Sequence, residues 1–204
     1  MKFVIIDYGV GNFRNVQKAF EVIGAEAEIS ESVSVVNAAD ALILPGVGAF
    51  GDAIDHVRAR GLDEPILAAV KAGKPLIGIC VGMQLLFDSS EEIGQHVGLG
   101  ILPGQVKRFP TNLTVPHMGW NQIEPTHDHP LLQNISQGDF AYFAHSYHVV
   151  TANPDDVLAQ TDYGQKFASV VGRDNVCAIQ FHPEKSQHVG LQILKNFIGF
   201  AQRV

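Results

Sequence analysis

At 204 residues, with 46% hydrophobic and 17% charged residues, the chain is long and apolar enough for one α/β domain with a sizeable core. A formal charge of -7 without a basic cluster argues against a nucleic-acid surface, and two cysteines make no disulfide framework. No apolar run approaches a membrane span, and the opening Met1–Asp7 lacks a signal-peptide layout, so a cytoplasmic protein is expected.

Phe3–Ile6 is a continuous apolar run, as expected of a strand covered on both faces in a parallel sheet. The turn Asp7-Tyr8-Gly9-Val10-Gly11-Asn12 follows, but it lacks the third glycine of a dinucleotide fingerprint. Asn12 suits a side-chain cap on a helix from Phe13 to Ile23, which Gly24 ends. Ala25–Ile29 and Ala41–Leu44 read as the next strands. After them comes Pro45-Gly46-Val47-Gly48-Ala49-Phe50-Gly51, which suits a plain strand-to-helix turn or a loop presenting backbone N–H groups. Helical patterns cover Asp52–Arg60 and Asp63–Ala72, and a strand leads into Cys80. Strands alternating with helices indicate a mostly parallel sheet with helices on both sides.

Beyond Phe87 the pattern changes. Short strand-like pieces occupy Gly98–Phe109, Val115–Ile123, Phe140–Phe143, His148–Val150 and Ala168–Val171. Gly172-Arg173-Asp174-Asn175 suits a hairpin turn into Val176–Phe181, and Val189–Ala201 closes the chain as a helix. With no repeat, linker or low-complexity tract, residues 1–204 read as a single domain with an antiparallel second half.

Two stretches carry chemistry. In Gly78-Ile79-Cys80-Val81-Gly82-Met83-Gln84 a cysteine sits between a strand and a helical pattern, with glycines two positions to either side. This is a nucleophile elbow with sulfur in place of a serine hydroxyl, and a helix start behind it favours thiolate. A lone cysteine before a helix is more often a packing residue, so the far end of the chain decides. There His182-Pro183-Glu184 ends a strand, and two residues apart in an extended segment would place imidazole and carboxylate on one side. Cys80, His182 and Glu184 then supply nucleophile, base and orienting group. His127, Asp128 and His129 read as a solvated turn rather than a metal site, and Cys177 as core packing.

The motifs Gly78–Gln84 and His182-Pro183-Glu184 resemble those of the class I, triad-type glutamine amidotransferases. Pro45–Phe50, Pro116-His117-Met118-Gly119-Trp120-Asn121 and His182–Ser186 narrow the likeness to the glutaminase subunit of imidazole glycerol phosphate synthase. That resemblance implies a flavodoxin-like three-layer sandwich, a Cys80–His182–Glu184 triad, and hydrolysis of L-glutamine without metal or cofactor. Elbow geometry makes the Val81 N–H one oxyanion donor; the family match puts the other at Val47. The match also places glutamine near Gly48, Gln84, Glu92, Ser146 and Tyr147, with Glu91 adjacent to Glu92. The implied partner is a (βα)8-barrel cyclase subunit, met through Asn12, Trp120, Tyr142 and Lys185. From sequence alone Trp120 suits an exposed anchor and a core indole equally.

Val47 departs from the broader amidotransferase pattern, where glycine is usual. A β-branched residue resists positive φ, which predicts a resting loop with this N–H turned away until a partner binds. A stand-alone cysteine hydrolase, a redox sensor on a related sheet and a non-catalytic binding module are the competing readings. The late His-Pro-Glu triplet separates the amidotransferase from them.

Overall fold

A computed structural model describes residues Met1–Val204. The first half runs β1 (Phe3–Ile6), α1 (Phe13–Val22), β2 (Ala27–Ser30), α2 (Val33–Asn37), β3 (Ala41–Gly46), α3 (Phe50–Ala59), α4 (Asp63–Lys71), β4 (Leu76–Cys80) and α5 (Val81–Leu85). The strands β5 (Phe87–Ser90), β6 (His96–Val97), β7 (Leu102–Arg108), β8 (His117–Pro125), β9 (Asp139–His145) and β10 (Tyr147–Thr151) follow. Then come β11 (Val157–Asp162), β12 (Lys166–Arg173), β13 (Val176–Ile179) and α6 (Gln187–Ala201).

The main sheet has nine strands in the order β2-β1-β3-β4-β13-β12-β11-β8-β9. From β2 to β13 all neighbours are parallel, the flavodoxin-like arrangement; from β13 to β9 all are antiparallel. Right-handed crossovers put α1 on one face, while α2, α3 and α4 cover the other, because the chain reverses direction after β2. Phe3 of β1 meets Phe20 of α1 and Phe197 of α6, with ring centroids 6.0 and 6.5 Å apart, so the last helix completes the first face. The buried apolar residues form one contiguous cluster of 59, from Phe3 to Ala201. The fully buried runs Phe3–Ile6, Ala41–Gly46 and Leu76–Cys80 are the sequence's uninterrupted apolar strands.

Several expectations need correction. Asn12 makes no side-chain cap on α1; its amide is drawn away to Glu184 instead. The apolar repeat after Cys80 is helical only through Leu85, and Phe87–Ser90 leaves as β5. β5, β6, β7 and β10 form a separate four-stranded sheet in the order β10-β7-β5-β6. The strand β13 ends at Ile179, so the ladder stops three residues before His182. Pro183–Lys185 is then a 3-10 turn rather than an extended segment.

The elbow glycines are demanded by close packing. A Cβ on Gly78 would lie 2.8 Å from the Gly82 carbonyl oxygen and 2.9 Å from the Met83 backbone. At Gly82 it would collide with the carbonyl oxygen of Leu44, in β3. Gly82→Ala should therefore destabilise the fold by about 2–3 kcal/mol, although alanine is the better helix former. Urea unfolding checks this, and an unchanged midpoint would mean that β3 retreats freely.

Candidate active site

Cys80 ends β4 with φ 56° and ψ -115°, a backbone conformation rare for a side-chain-bearing residue. That turn sets the sulfur at the carboxyl end of the parallel strands, where open α/β sheets place their ligands. The α5 that follows has only five residues, so its dipole is small. Support for a thiolate has to come mainly from an imidazole.

His182 supplies it. Its backbone N–H donates to the Tyr142 carbonyl at 2.9 Å. The Ser186 hydroxyl donates to the His182 carbonyl at 2.6 Å and accepts the Tyr142 N–H at 2.9 Å. Strand β9 thus clamps the segment after β13 and aims the ring. His182 Nδ1 lies 3.0 Å from Glu184 Oε1, and the ring lines one cavity with Cys80. Burial alone would lower the imidazole's affinity for a proton, but its interactions with Cys80 and Glu184 outweigh it and raise the pKa to about 10. Burial pushes Glu184 the other way, yet its bond and attraction to His182 hold the carboxyl below its ordinary range. Asn12 Nδ2 donates to the same Oε1 at 2.9 Å, while the buried Oε2 has no partner.

Cys80 and His182 are 3% and 6% exposed and open onto a cavity of about 230 Å³. Val47, Gly48, Val81, Gln84, Glu92, Ser146 and Tyr147 line it, so the structure brings together every residue named above for oxyanion or glutamine contact. Glu92, and not Glu91, reaches this cavity; Glu91 is exposed and accepts the Arg108 N–H at 3.1 Å. Glu92 Oε2 accepts the Phe50 N–H at 2.7 Å, tying the cavity to the start of α3, and burial raises its pKa. Val81 N–H is the first amide of α5 and has no acceptor within the helix. Val47 keeps negative φ, whereas Gly48 after it has φ 85°.

The residues named for a partner surface also gather. Trp120 is 45% exposed, which removes the core-indole alternative, and its ring stands edge-on to Tyr142 at 6.0 Å. Lys185 Nζ lies 5.5 Å from the Tyr142 ring centre, and Asn12 sits behind on Glu184. Cys177 is buried, with its thiol pushed up to about 12 by desolvation. His127 and His129 are tied to Val157 O and Leu131 N, and no group of three His, Cys, Asp or Glu could hold a metal.

The chain matches the glutamine amidotransferase class-I family model over residues 4–199. It is 54% identical over 200 residues to imidazole glycerol phosphate synthase subunit HisH of Salinibacter ruber, covering 95% of this chain and 92% of that one. The chain belongs to the HisH family of class I glutamine amidotransferases. A HisH subunit from Aquifex aeolicus is 48% identical, with 100% and 99% of the two chains covered. A solved glutamine amidotransferase shares the fold at 20% identity, with a TM-score of 0.79 over 99% of this chain and 100% of that one. PurLQS of Thermotoga maritima also shares it at 20% identity, with a TM-score of 0.76 over 98% of each chain.

Two residues of this amidotransferase escaped the sequence reading. Gln180 is fully buried; its Nε2 donates to Cys80 Sγ at 3.8 Å, and its Oε1 accepts from Gln84 Nε2 at 3.1 Å. The signal was present, since Gln180 is the one amide between the apolar Val176–Ile179 and Phe181. Tyr8 is buried beside the end of β3, and its hydroxyl has no partner.

Burial keeps His145 and His117 neutral, lowering them to about 3 and about 4. In the unfolded chain both take up protons near pH 6.5, so acid below that value favours unfolding. His182 has the opposite sign: its stabilisation is complete below about pH 6.5 and is lost as the pH rises toward 10. Unfolding free energy should fall by about 2 kcal/mol or more between pH 6.5 and pH 5. Urea titrations at the two pH values measure it; equal stability would mean that the two buried rings gain protons in the fold.

Proposed function

We propose that the chain is the glutaminase subunit of imidazole glycerol phosphate synthase, acting as one domain in the cytoplasm with Cys80, His182 and Glu184 as its triad. The observation that carries this reading is the sulfur and imidazole lining one small cavity, with a buried carboxylate 3.0 Å behind the imidazole. His182 takes the Cys80 proton, and the thiolate attacks the side-chain carboxamide carbon of L-glutamine. The oxyanion is held by the N–H groups of Val81 and Val47, each such donor being worth about 2.7–4 kcal/mol. His182, held by Glu184, returns the proton to the leaving nitrogen, so ammonia departs and a thioester remains. Water, deprotonated by His182, then attacks the thioester carbonyl. Glutamate leaves and the thiol is regenerated.

Glu92 offers a carboxylate for the substrate ammonium, and Gly48, Gln84, Ser146 and Tyr147 frame the rest. The ammonia passes to a (βα)8-barrel cyclase subunit, which forms imidazole glycerol phosphate and aminoimidazole carboxamide ribonucleotide in histidine biosynthesis. Asn12, Trp120, Tyr142 and Lys185 form the docking edge. An exposed indole backed by a tyrosine and a cation is the kind of anchor such an interface uses.

Glutamate release by the purified chain, with and without the cyclase subunit, tests the reading. Activity should rise with the cyclase and disappear in Cys80→Ala, whereas an active alanine variant would refute the nucleophile. Val47 sets the basal rate, because its branched side chain resists turning the N–H inward. Val47→Gly should raise partner-free turnover by about tenfold, roughly 1.4 kcal/mol of barrier. An unchanged or lower basal rate in the folded variant counts against that role.

A further inference from the structure

One imidazole of the glutamine cavity has no place in the mechanism above. His145 ends β9, lines the cavity and is buried, yet it belongs to no triad bond. Its hydrogen-bond partners fix where its proton sits. His145 Nδ1 lies 2.7 Å from the Tyr147 carbonyl oxygen, which only accepts, so Nδ1 carries the hydrogen. In the neutral ring Nε2 is then an acceptor, and His117 Nδ1, 3.1 Å away, must donate to it. By the same step His117 Nε2 accepts, and Asn121 Nδ2 stands 3.3 Å from it. The Asn121 amide is itself anchored by donating to the Asp162 carbonyl at 2.9 Å. Every N–H in this run points one way, from β8 toward Tyr147.

Packing holds the rings in that order. His117 is sandwiched between Phe143, at 4.9 Å and 20°, and Tyr163, at 4.0 Å and 26°. Phe109 lies 5.3 Å from His145 and donates its own N–H to the Ser146 carbonyl at 3.1 Å. Desolvation keeps both imidazoles neutral, which the run requires, since a protonated ring would face another donor. At the far end the Tyr147 carbonyl also accepts from Gln84 Nε2 at 3.1 Å, so it is held from two sides.

We propose that His117 and His145 are positioning residues for substrate binding: a one-way run of N–H donors starting at Asn121 fixes the Tyr147 carbonyl, and with it the Ser146–Tyr147 edge of the glutamine cavity. The inference rests on the glutaminase reading. Asn121 is the neighbour of Trp120, so the run also ties the docking strand to the substrate edge.

Two substitutions at one position separate this role from plain packing. In His145→Asn the amide nitrogen replaces Nδ1 and keeps a donor for Tyr147, whereas His145→Gln places its amide at the Nε2 end and loses that donor. On the complex with the cyclase subunit, His145→Gln should raise the glutamine KM about tenfold with kcat within about twofold, and His145→Asn should raise KM no more than about threefold. Equal KM values, or a loss of kcat at constant KM, would overturn the proposal. Nitrogen-15 NMR of the unmodified free chain at pH 7 needs no turnover and should find Nδ1 protonated in both rings. An active complex whose His145 carries its proton on Nε2 sinks this inference alone. An inactive complex with the expected tautomers sinks the glutaminase reading on which it stands.

Discussion

Gly82 stands where any side chain would strike the Leu44 carbonyl, and that contact draws the turn at Cys80 against the end of β3. The positive φ at Cys80 lifts the sulfur out of the sheet at that point. The first amide of α5 and the Val47–Gly48 loop are thereby brought to the same cavity wall. The nucleophile and the Val81 donor proposed for its oxyanion are thus set by backbone packing, which fluctuates less than side chains do. Tyr8, with its orphaned hydroxyl 2.5 Å from where a Gly46 Cβ would stand, adds to the crowding on the β3 side.

Around this rigid turn the structure sorts its histidines by environment. His182 stands between sulfur and carboxylate and holds a proton well above neutrality, because its interactions with Cys80 and Glu184 outweigh its desolvation. His145, at the same cavity, faces only a carbonyl and another imidazole, and desolvation keeps it neutral far into acid. Neighbouring groups whose proton affinities are driven apart in this way can serve different tasks within one site. Here one ring suits proton transfer and the other suits fixed hydrogen bonding.

The path from the surface to His182 is short. Tyr142 presents its ring to Trp120 and Lys185, while its backbone grips His182 and Ser186. Asn12, expected as a helix cap, instead shares the Glu184 oxygen that holds His182. Tyr142 thus bonds the His182 backbone, and Asn12 bonds the carboxylate that holds its ring.

The sequence by itself determined the parallel half of the sheet, because strands buried on both faces leave uninterrupted apolar runs such as Phe3–Ile6 and Ala41–Leu44. It also marked the elbow at Cys80, since glycines at fixed offsets record close backbone contacts. It placed a helix after Cys80 but not its early end, and it missed β5, because Leu85–Phe87 is apolar at either period and only docking beside β7 selects a strand. It paired His182 with Glu184 but by the wrong route, an extended segment where a 3-10 turn exists. The family match had already named Glu92, which the cavity wall keeps, but only the tertiary structure exposed Trp120 and joined Gln180, Asn12 and His145 to the site. These choices depend on contacts between residues up to 172 positions apart, as between Asn12 and Glu184, and local pattern carries no record of such distances.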